Sequence, residues 1–357
     1  AYKYIVGPIT LELERLFKNN LFGYKNPKNW VDLEEYYNHC DMINFTNTLQ
    51  LDGSGFDLTQ HYEIKELVDQ RIYKYIAEKN LLHVDNELFL RIINAEWRKI
   101  NLVSKDAKTV DSYGSIWVRG RVFSGSCDTT LMNTLRMTLY NRFALEYYGK
   151  LIKYEDYELL VKGDDVVILT HKNTKTLEKL LARVFCKMTD TNHGLGQIAK
   201  FYKHGSIANI DYCSTQTIKL HNGNYKVIRK LVNIIEREHY SVKVLSNDRE
   251  AYTAQLRLSA EKWMGNCTLL TRYFDNVHGE LRNFVTKTVK SVSKRRLALL
   301  ETCLNYTDIS NSYEYDIVHS GRISSTPLST NELVDSLEQY GEHEAMDAYI
   351  TMYGRSL

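Results

Sequence analysis

The feature that most constrains this chain is a pair of short apolar runs, ELLVK at 158–162 and VVILT at 166–170, separated only by Gly163-Asp164-Asp165. Two β-type runs this short and this close predict an antiparallel hairpin whose tip is acidic. Adjacent carboxylates repel each other and are a poor choice for turn stability. They are a good choice for holding a hard divalent cation, which takes oxygen ligands. Taken alone, the triplet also reads as an ordinary acidic turn, because Gly and Asp favour turns.

Two further polar elements lie upstream. In LDGSGFDLTQ (51–60), Asp52 ends an apolar strand expected over 48–53, so its carboxylate leaves the sheet edge. Asp57 follows five residues later, where a helix begins. A helix N-cap for Asp57 and a turn residue before Gly53 for Asp52 are the alternative readings. The other element is Ser124-Gly125-x-x-x-Thr129-x-x-x-Asn133. Its Ser-Gly pair opens a helix expected over about 128–148, and Thr129 and Asn133 share one face of that helix. A hydroxyl and an amide on a helix otherwise rich in Leu and Met suit the reading of a ribose hydroxyl. Capping by Ser124 or Asp128 is the alternative.

The remaining pattern is mixed. Helices are expected over 9–22, over 58–79 (Ile64, Leu67, Val68, Ile72 and Ile76 at three- and four-residue steps), and over 86–98 and 175–190. DSYGSIWVRGRVF (111–123) reads as strands. Asn222-Gly223 between alternating runs predicts a second hairpin with a type I′ turn. Beyond Asp248 the chain reads as mostly helical, with a capping box at Ser329 and Glu332 after Pro327.

With 43% hydrophobic and 25% charged residues among 357, the composition is globular and excludes a disordered or fibrous chain. The six cysteines are scattered without a CxxC, which argues against a zinc module or a disulfide scaffold and for a reducing compartment. His193 with Cys186 is a minor metal-site candidate without a second ligand pair. No apolar run reaches the ~18 residues of a membrane span, and AYKYIVGPIT is not a signal peptide. A net charge of +2 is a weak sign for a nucleic-acid binder.

In order, the three elements read D-x4-D, then SG-x3-T-x3-N, then GDD in a hairpin. This resembles the palm motifs A, B and C of the RNA-dependent RNA polymerases of positive-strand RNA viruses, in residue type, spacing, order and context. The flanks extend the likeness. Lys200 in GLGQIAKFYK falls where the family carries its motif D lysine, with Lys203 as the competing candidate. Tyr212-Cys213-Ser214 resembles the start of motif E in tombusvirus-like enzymes, and NGNYKVIRK and GNCTLLTRYF look tombusvirus- or nodavirus-like. The resemblance covers roughly 45–230. Upstream, the family places a basic fingers segment; AYKYIVGPITLELERL resembles the region just after it, with Lys3 as its last remnant. The chain therefore reads as a polymerase lacking the N-terminal fingers.

The resemblance implies an α+β right-hand polymerase: an antiparallel palm sheet backed by helices over 45–70 and 122–215, partial fingers over 1–44, fingers over 71–121, and a helical thumb over 216–357. It implies template-directed RNA synthesis in viral genome replication. Two Mg²⁺ ions, or Mn²⁺, would lie between Asp52 and Asp164, supported by Asp165. Lys200 would be the general acid. Asp57, Ser124, Gly125, Thr129 and Asn133 would bind the nucleotide and sense its sugar. Arg119, Arg121 and Cys213 would touch RNA, although surface arginines are the plainer reading of the first two. Lys287, Lys290, Lys294, Arg295 and Arg296 would track product RNA or form a solvated helix face. The implied partners are RNA template and product, NTPs and other viral replication proteins, in host cytoplasm at membranes reached through other regions or partners. A reverse-transcriptase-like polymerase and a non-catalytic RNA-binding palm scaffold remain the alternatives. Against the first, Lys162 stands where such enzymes favour an aromatic, and Asn133 is present.

Overall fold

The structure is a computed structural model, which describes residues 2–20, 30–79, 85–96, 100–105, 112–118, 122, 126–186, 188–189 and 192–230. Helices in chain order are α1 (Tyr2–Asn20), α2 (Trp30–Met42), α3 (Phe56–Thr59), α4 (Tyr62–Lys65), α5 (Arg71–Glu78), α6 (Asn86–Glu96), α7 (Thr129–Arg142) and α8 (Thr174–Leu181). Strands are β1 (Asn47–Gly53), β2 (Ile100–Lys105), β3 (Ser112–Val118), β4 (Tyr157–Lys162), β5 (Asp165–Thr170), β6 (Met188–Thr189), β7 (Asn192–His193), β8 (Ala199–Ser206), β9 (Asp211–Tyr212), β10 (Thr215–Lys219) and β11 (Tyr225–Arg229). The class is α+β, and β1–β5, β4–β5, β2–β3 and β9–β10–β11 all pair antiparallel.

The chain divides into two compact units, residues 1–26 with 44–205, and residues 27–43 with 206–357. The first is built on a four-stranded sheet in the order β4-β5-β1-β8. Alternation along its central strands puts Leu49 opposite Ile168, and Ile168 opposite Leu159; Leu51, Val166 and Val161 form the next row. These rows are buried against Met137, Tyr140, Ala144 and Leu145 of the long helix and its continuation. A second core joins α1, α5, α6 and α7 through Val6, Tyr73, Phe89, Ile93 and Leu131. Helix α7 thus serves two cores, and this explains why ten of its residues, polar ones included, are buried.

In the second unit the sheet order is β11-β10-β9. Helix α2 lies along the edge strand β11. Asn38 and Glu34, one helical turn apart, accept the N–H groups of Tyr225 and Val227, both at 2.9 Å. An exposed strand edge invites unwanted pairing, and here side-chain acceptors occupy its donors.

Several expected boundaries shift. Helix α1 spans Tyr2–Asn20, earlier at both ends than the expected 9–22, and carries Pro8 inside it. The stretch expected as one helix over 58–79 is broken into α3, α4, a π-helical turn at Glu66–Gln70 and α5. The helix expected over 175–190 stops at Leu181, and residues 188–189 are a strand. The Asn222-Gly223 hairpin is not type I′. Only Gly223 has positive φ (88°), and Leu220 N–H meets Asn224 O at 2.8 Å across a three-residue loop. A left-handed Gly closing such a loop belongs to the three-residue hairpin class instead. The type I′ signature appears one hairpin earlier, at Cys213 (φ 52°) and Ser214 (φ 63°) between β9 and β10. The expectations placed on Arg119, Arg121, Ser124, Gly125, the basic stretch 287–296, GNCTLLTRYF and the 329–332 capping box lie outside the described residues, as do the side chains of Lys3 and His193.

Candidate active site

The β4–β5 hairpin closes on Lys162 opposite Asp165, leaving Gly163 and Asp164 as a two-residue turn. Gly163 has φ +64°, and Asp164 is not among the positive-φ residues, as a type II′ turn requires. A Cβ on Gly163 would meet nothing within 4 Å, so it is the backbone angle and not crowding that favours glycine here. The turn is anchored from below: Gly163 N–H donates to Thr134 Oγ1 of α7 at 2.8 Å, and that hydroxyl donates to Thr130 O at 2.6 Å.

Strand β1 lies beside β5 with Asp52 directly opposite Asp165. Opposed residues of an antiparallel pair share a face, and like charges placed so are destabilising. The Asp164 carboxyl, half-buried at the tip, is pushed above its ordinary value of 3.8 by burial. The charges of Asp52 and Asp57 add to that rise, while a backbone bond and Lys200 oppose it. The charges of Asp52 and Asp57 therefore reach Asp164 at this end of the sheet. Lys200, on the neighbouring strand β8, brings Nζ to 3.4 Å from Asp52 Oδ2. Lys203 stands an odd number of residues further along β8, hence on its other face.

Asp57 sits in the first turn of α3, after Gly55 in the left-handed region (φ 56°). Gly55, not Asp57, occupies the N-cap, so the capping alternative for Asp57 does not hold. Its carboxylate Oδ1 accepts Asn133 Nδ2–H at 2.6 Å, joining α3 to α7. Val122 N–H donates to Asp57 O at 3.2 Å. Thr129 is half-buried at the first position of α7, one turn before Asn133. Asp128 takes the N-cap position, but its carboxylate accepts Ser126 Oγ–H (2.7 Å) and Tyr73 O–H (3.1 Å) instead of capping. Cys213, in the other unit, is half-buried at the strained β9–β10 turn. Cys186 Sγ donates to Arg183 O at 3.3 Å.

No protein-family model matches the sequence, and no curated protein matches it either.

Among the described residues, no three carboxylate, imidazole or thiol side chains close around one point. The acidic edge nevertheless has the chemistry of a Mg²⁺ site. Its donors are carboxylate oxygens, the charges of Asp52 and Asp57 add to the raised proton affinity of Asp164, and Mg²⁺ is commonly held by one or two carboxylates plus substrate phosphates and not by an all-protein cage.

Thr134, Arg136 with its partner Asp69, and Gln197 matter here and were not singled out in the sequence. Thr134 holds the Gly163 turn. Arg136, wholly buried, links Asp69 and Asn133. Gln197 ties the segment before β8 to the segment after Asp57. Its Oε1 accepts from Thr59 Oγ1 (2.8 Å) and Gln60 Nε2 (3.0 Å), and its Nε2 donates to Thr59 O (2.8 Å). An arginine inside LMNTLRMTLY was the one available signal, because a charge on an apolar helix face needs a buried partner.

Proposed function

We propose that this chain carries the palm of a right-hand RNA-dependent RNA polymerase, acting in replication of a positive-strand RNA virus. One observation carries the reading: Asp52, Asp57, Asp164 and Lys200, from four separate segments, interact electrostatically at one end of one antiparallel sheet. Nucleotide addition asks a protein chiefly for positioning and charge neutralisation. Asp52 and Asp164 would hold Mg²⁺, with Asp165 supporting them; when bound, the ion supplies charge neutralisation to the phosphates. In the proposed step the RNA 3′-hydroxyl loses its proton to water, its oxygen bonds to the α-phosphorus and the bond from that phosphorus to pyrophosphate breaks. Lys200, already beside the acidic edge, gives the leaving pyrophosphate its proton. Asp57, held by Asn133, accepts a hydrogen bond from the ribose. A site built around such a bond penalises a sugar lacking the hydroxyl.

The partners that follow are an RNA template and its product, NTPs and further viral replication proteins. The test is incorporation of labelled rNTP or dNTP on a defined RNA template with Mg²⁺ or Mn²⁺. Template-complementary RNA that requires Asp164 is the expected result. A preference for dNTP would favour the reverse-transcriptase-like reading. RNA binding without incorporation by either sugar would favour the scaffold.

A further inference from the structure

At the centre of α7 a fully buried arginine divides its guanidinium between two partners. Arg136 Nη1 donates to Asp69 Oδ2 at 2.5 Å, and Nη2 donates to Asn133 Oδ1 at 2.6 Å. Asn133 in turn donates from Nδ2 to Asp57 at 2.6 Å. The polarity of this chain is forced. A guanidinium only donates, so the amide atom facing it must be oxygen; a carboxylate only accepts, so the atom facing Asp57 must be the NH₂. Arg136 and Asp57 grip the amide from its two ends, and rotation of the Asn133 side chain breaks both bonds at once.

The ion pair is a poor device for stability alone. Asp69 Oδ1 and Arg136 Nε are buried without a hydrogen-bond partner among the described residues. A buried pair with unsatisfied atoms is commonly matched or bettered by apolar side chains of similar volume. Asp69 also lies in the π-helical turn Glu66–Gln70, an irregularity that is frequent at functional sites. The part of the arrangement that an apolar pair cannot reproduce is the second arm of the fork, on Asn133.

We propose that Arg136, anchored by Asp69, is a positioning residue that fixes the Asn133 amide and through it the Asp57 carboxylate, and so sets the choice between ribose and deoxyribose. This rests on the polymerase reading. Neither residue touches the nucleotide; both act through Asn133.

The test is the ratio of kcat/KM for a matched rNTP and dNTP in wild type, Arg136→Lys, Asn133→Leu and their double variant. Lysine keeps a cation for Asp69 but replaces the planar fork by one compact donor group. The ratio should fall roughly 3- to 10-fold in Arg136→Lys, a part of the roughly 10- to 100-fold loss expected for Asn133→Leu from a hydrogen bond to a charged group. The double variant should be no worse than Asn133→Leu, because the arginine acts only through that amide. The apolar pair Asp69→Leu/Arg136→Met, which avoids leaving a lone buried charge, should show the same fall if Arg136→Lys does not fold. An active enzyme whose ratio is unchanged in these variants, or whose losses add, overturns the proposal alone. A wild-type chain that incorporates neither sugar overturns the polymerase reading and this proposal with it.

Discussion

Around the three-stranded sheet, acids and donors are matched. Glu34 accepts the Val227 N–H, Asp41 accepts the Tyr225 hydroxyl at 3.3 Å, and Asp211 pairs with Lys230. At the end of the four-stranded sheet, by contrast, Asp52 is set opposite Asp165, and Asp164 is raised by burial and by two neighbouring carboxylates. Lys200, which reaches Asp52, is largely exposed, and surface ion pairs of that kind contribute little. Carboxylates thus meet donors beside one sheet and face one another at the end of the other. The difference teaches where to look: a cluster that costs the fold stability points to a functional site, and on the proposed reading a cation and its phosphates would complete it.

The comparison can be broken most severely at the tip. Asp164→Asn should reduce nucleotide incorporation to background, a loss beyond about 100-fold, since even groups one step removed from a metal are worth 10–100-fold. Its stability should move the other way. A carboxyl raised above its unfolded value stabilises the fold at low pH and loses that contribution as pH rises through the folded value. Melting curves should therefore show Asp164→Asn above wild type at pH 7, with the gap closing as pH falls through the folded value towards 3.8 and constant below it. Lys200→Leu comes next: single-turnover rates should fall about 100-fold, the lower end of general-acid effects, while Lys203→Leu changes them little. In the matched sheet the effect should be on stability alone. Asn38→Leu strands the Tyr225 N–H, and denaturant unfolding should register a loss of about 1–3 kcal/mol with no change in Asp164 titration. The smallest effect is Thr134→Val, which removes the acceptor under Gly163; about 0.5–1.5 kcal/mol of stability and a few-fold of rate should go together.

Much of the first sheet was legible because its signals are local. The β4–β5 hairpin follows from two apolar runs around a Gly-Asp turn, and β1 from a run ending at Asp52. The helix under the site was legible for the same reason, as was the shared face of Thr129 and Asn133. What sequence could not supply was contact between distant segments. Thr134 reaches Gly163 across 29 residues, Arg136 reaches Asp69 across 67, and Gln197 reaches Thr59 across 138. Turn chemistry misled at Asn222-Gly223, where one added residue changes the loop class. It was silent at Cys213-Ser214, where two residues with Cβ atoms adopt the left-handed region that Gly or Asn would announce. Helix α2 went unread because its polar face, Glu34, Asn38 and Asp41, makes sense only against the strand it caps.

The most direct test of the central claim is the carboxyl titration of Asp164, followed by carbon-detected NMR with and without Mg²⁺ and assigned through Asp164→Asn. The account predicts that without the ion this carboxyl titrates above the ordinary aspartate value of 3.8, and that it falls back when Asp52→Asn removes one of the neighbouring charges. Addition of Mg²⁺ should then depress the titration strongly and shift the Asp52 and Asp164 signals together. An Asp164 carboxyl that titrates at its ordinary value and ignores both Mg²⁺ and the loss of Asp52 would contradict it.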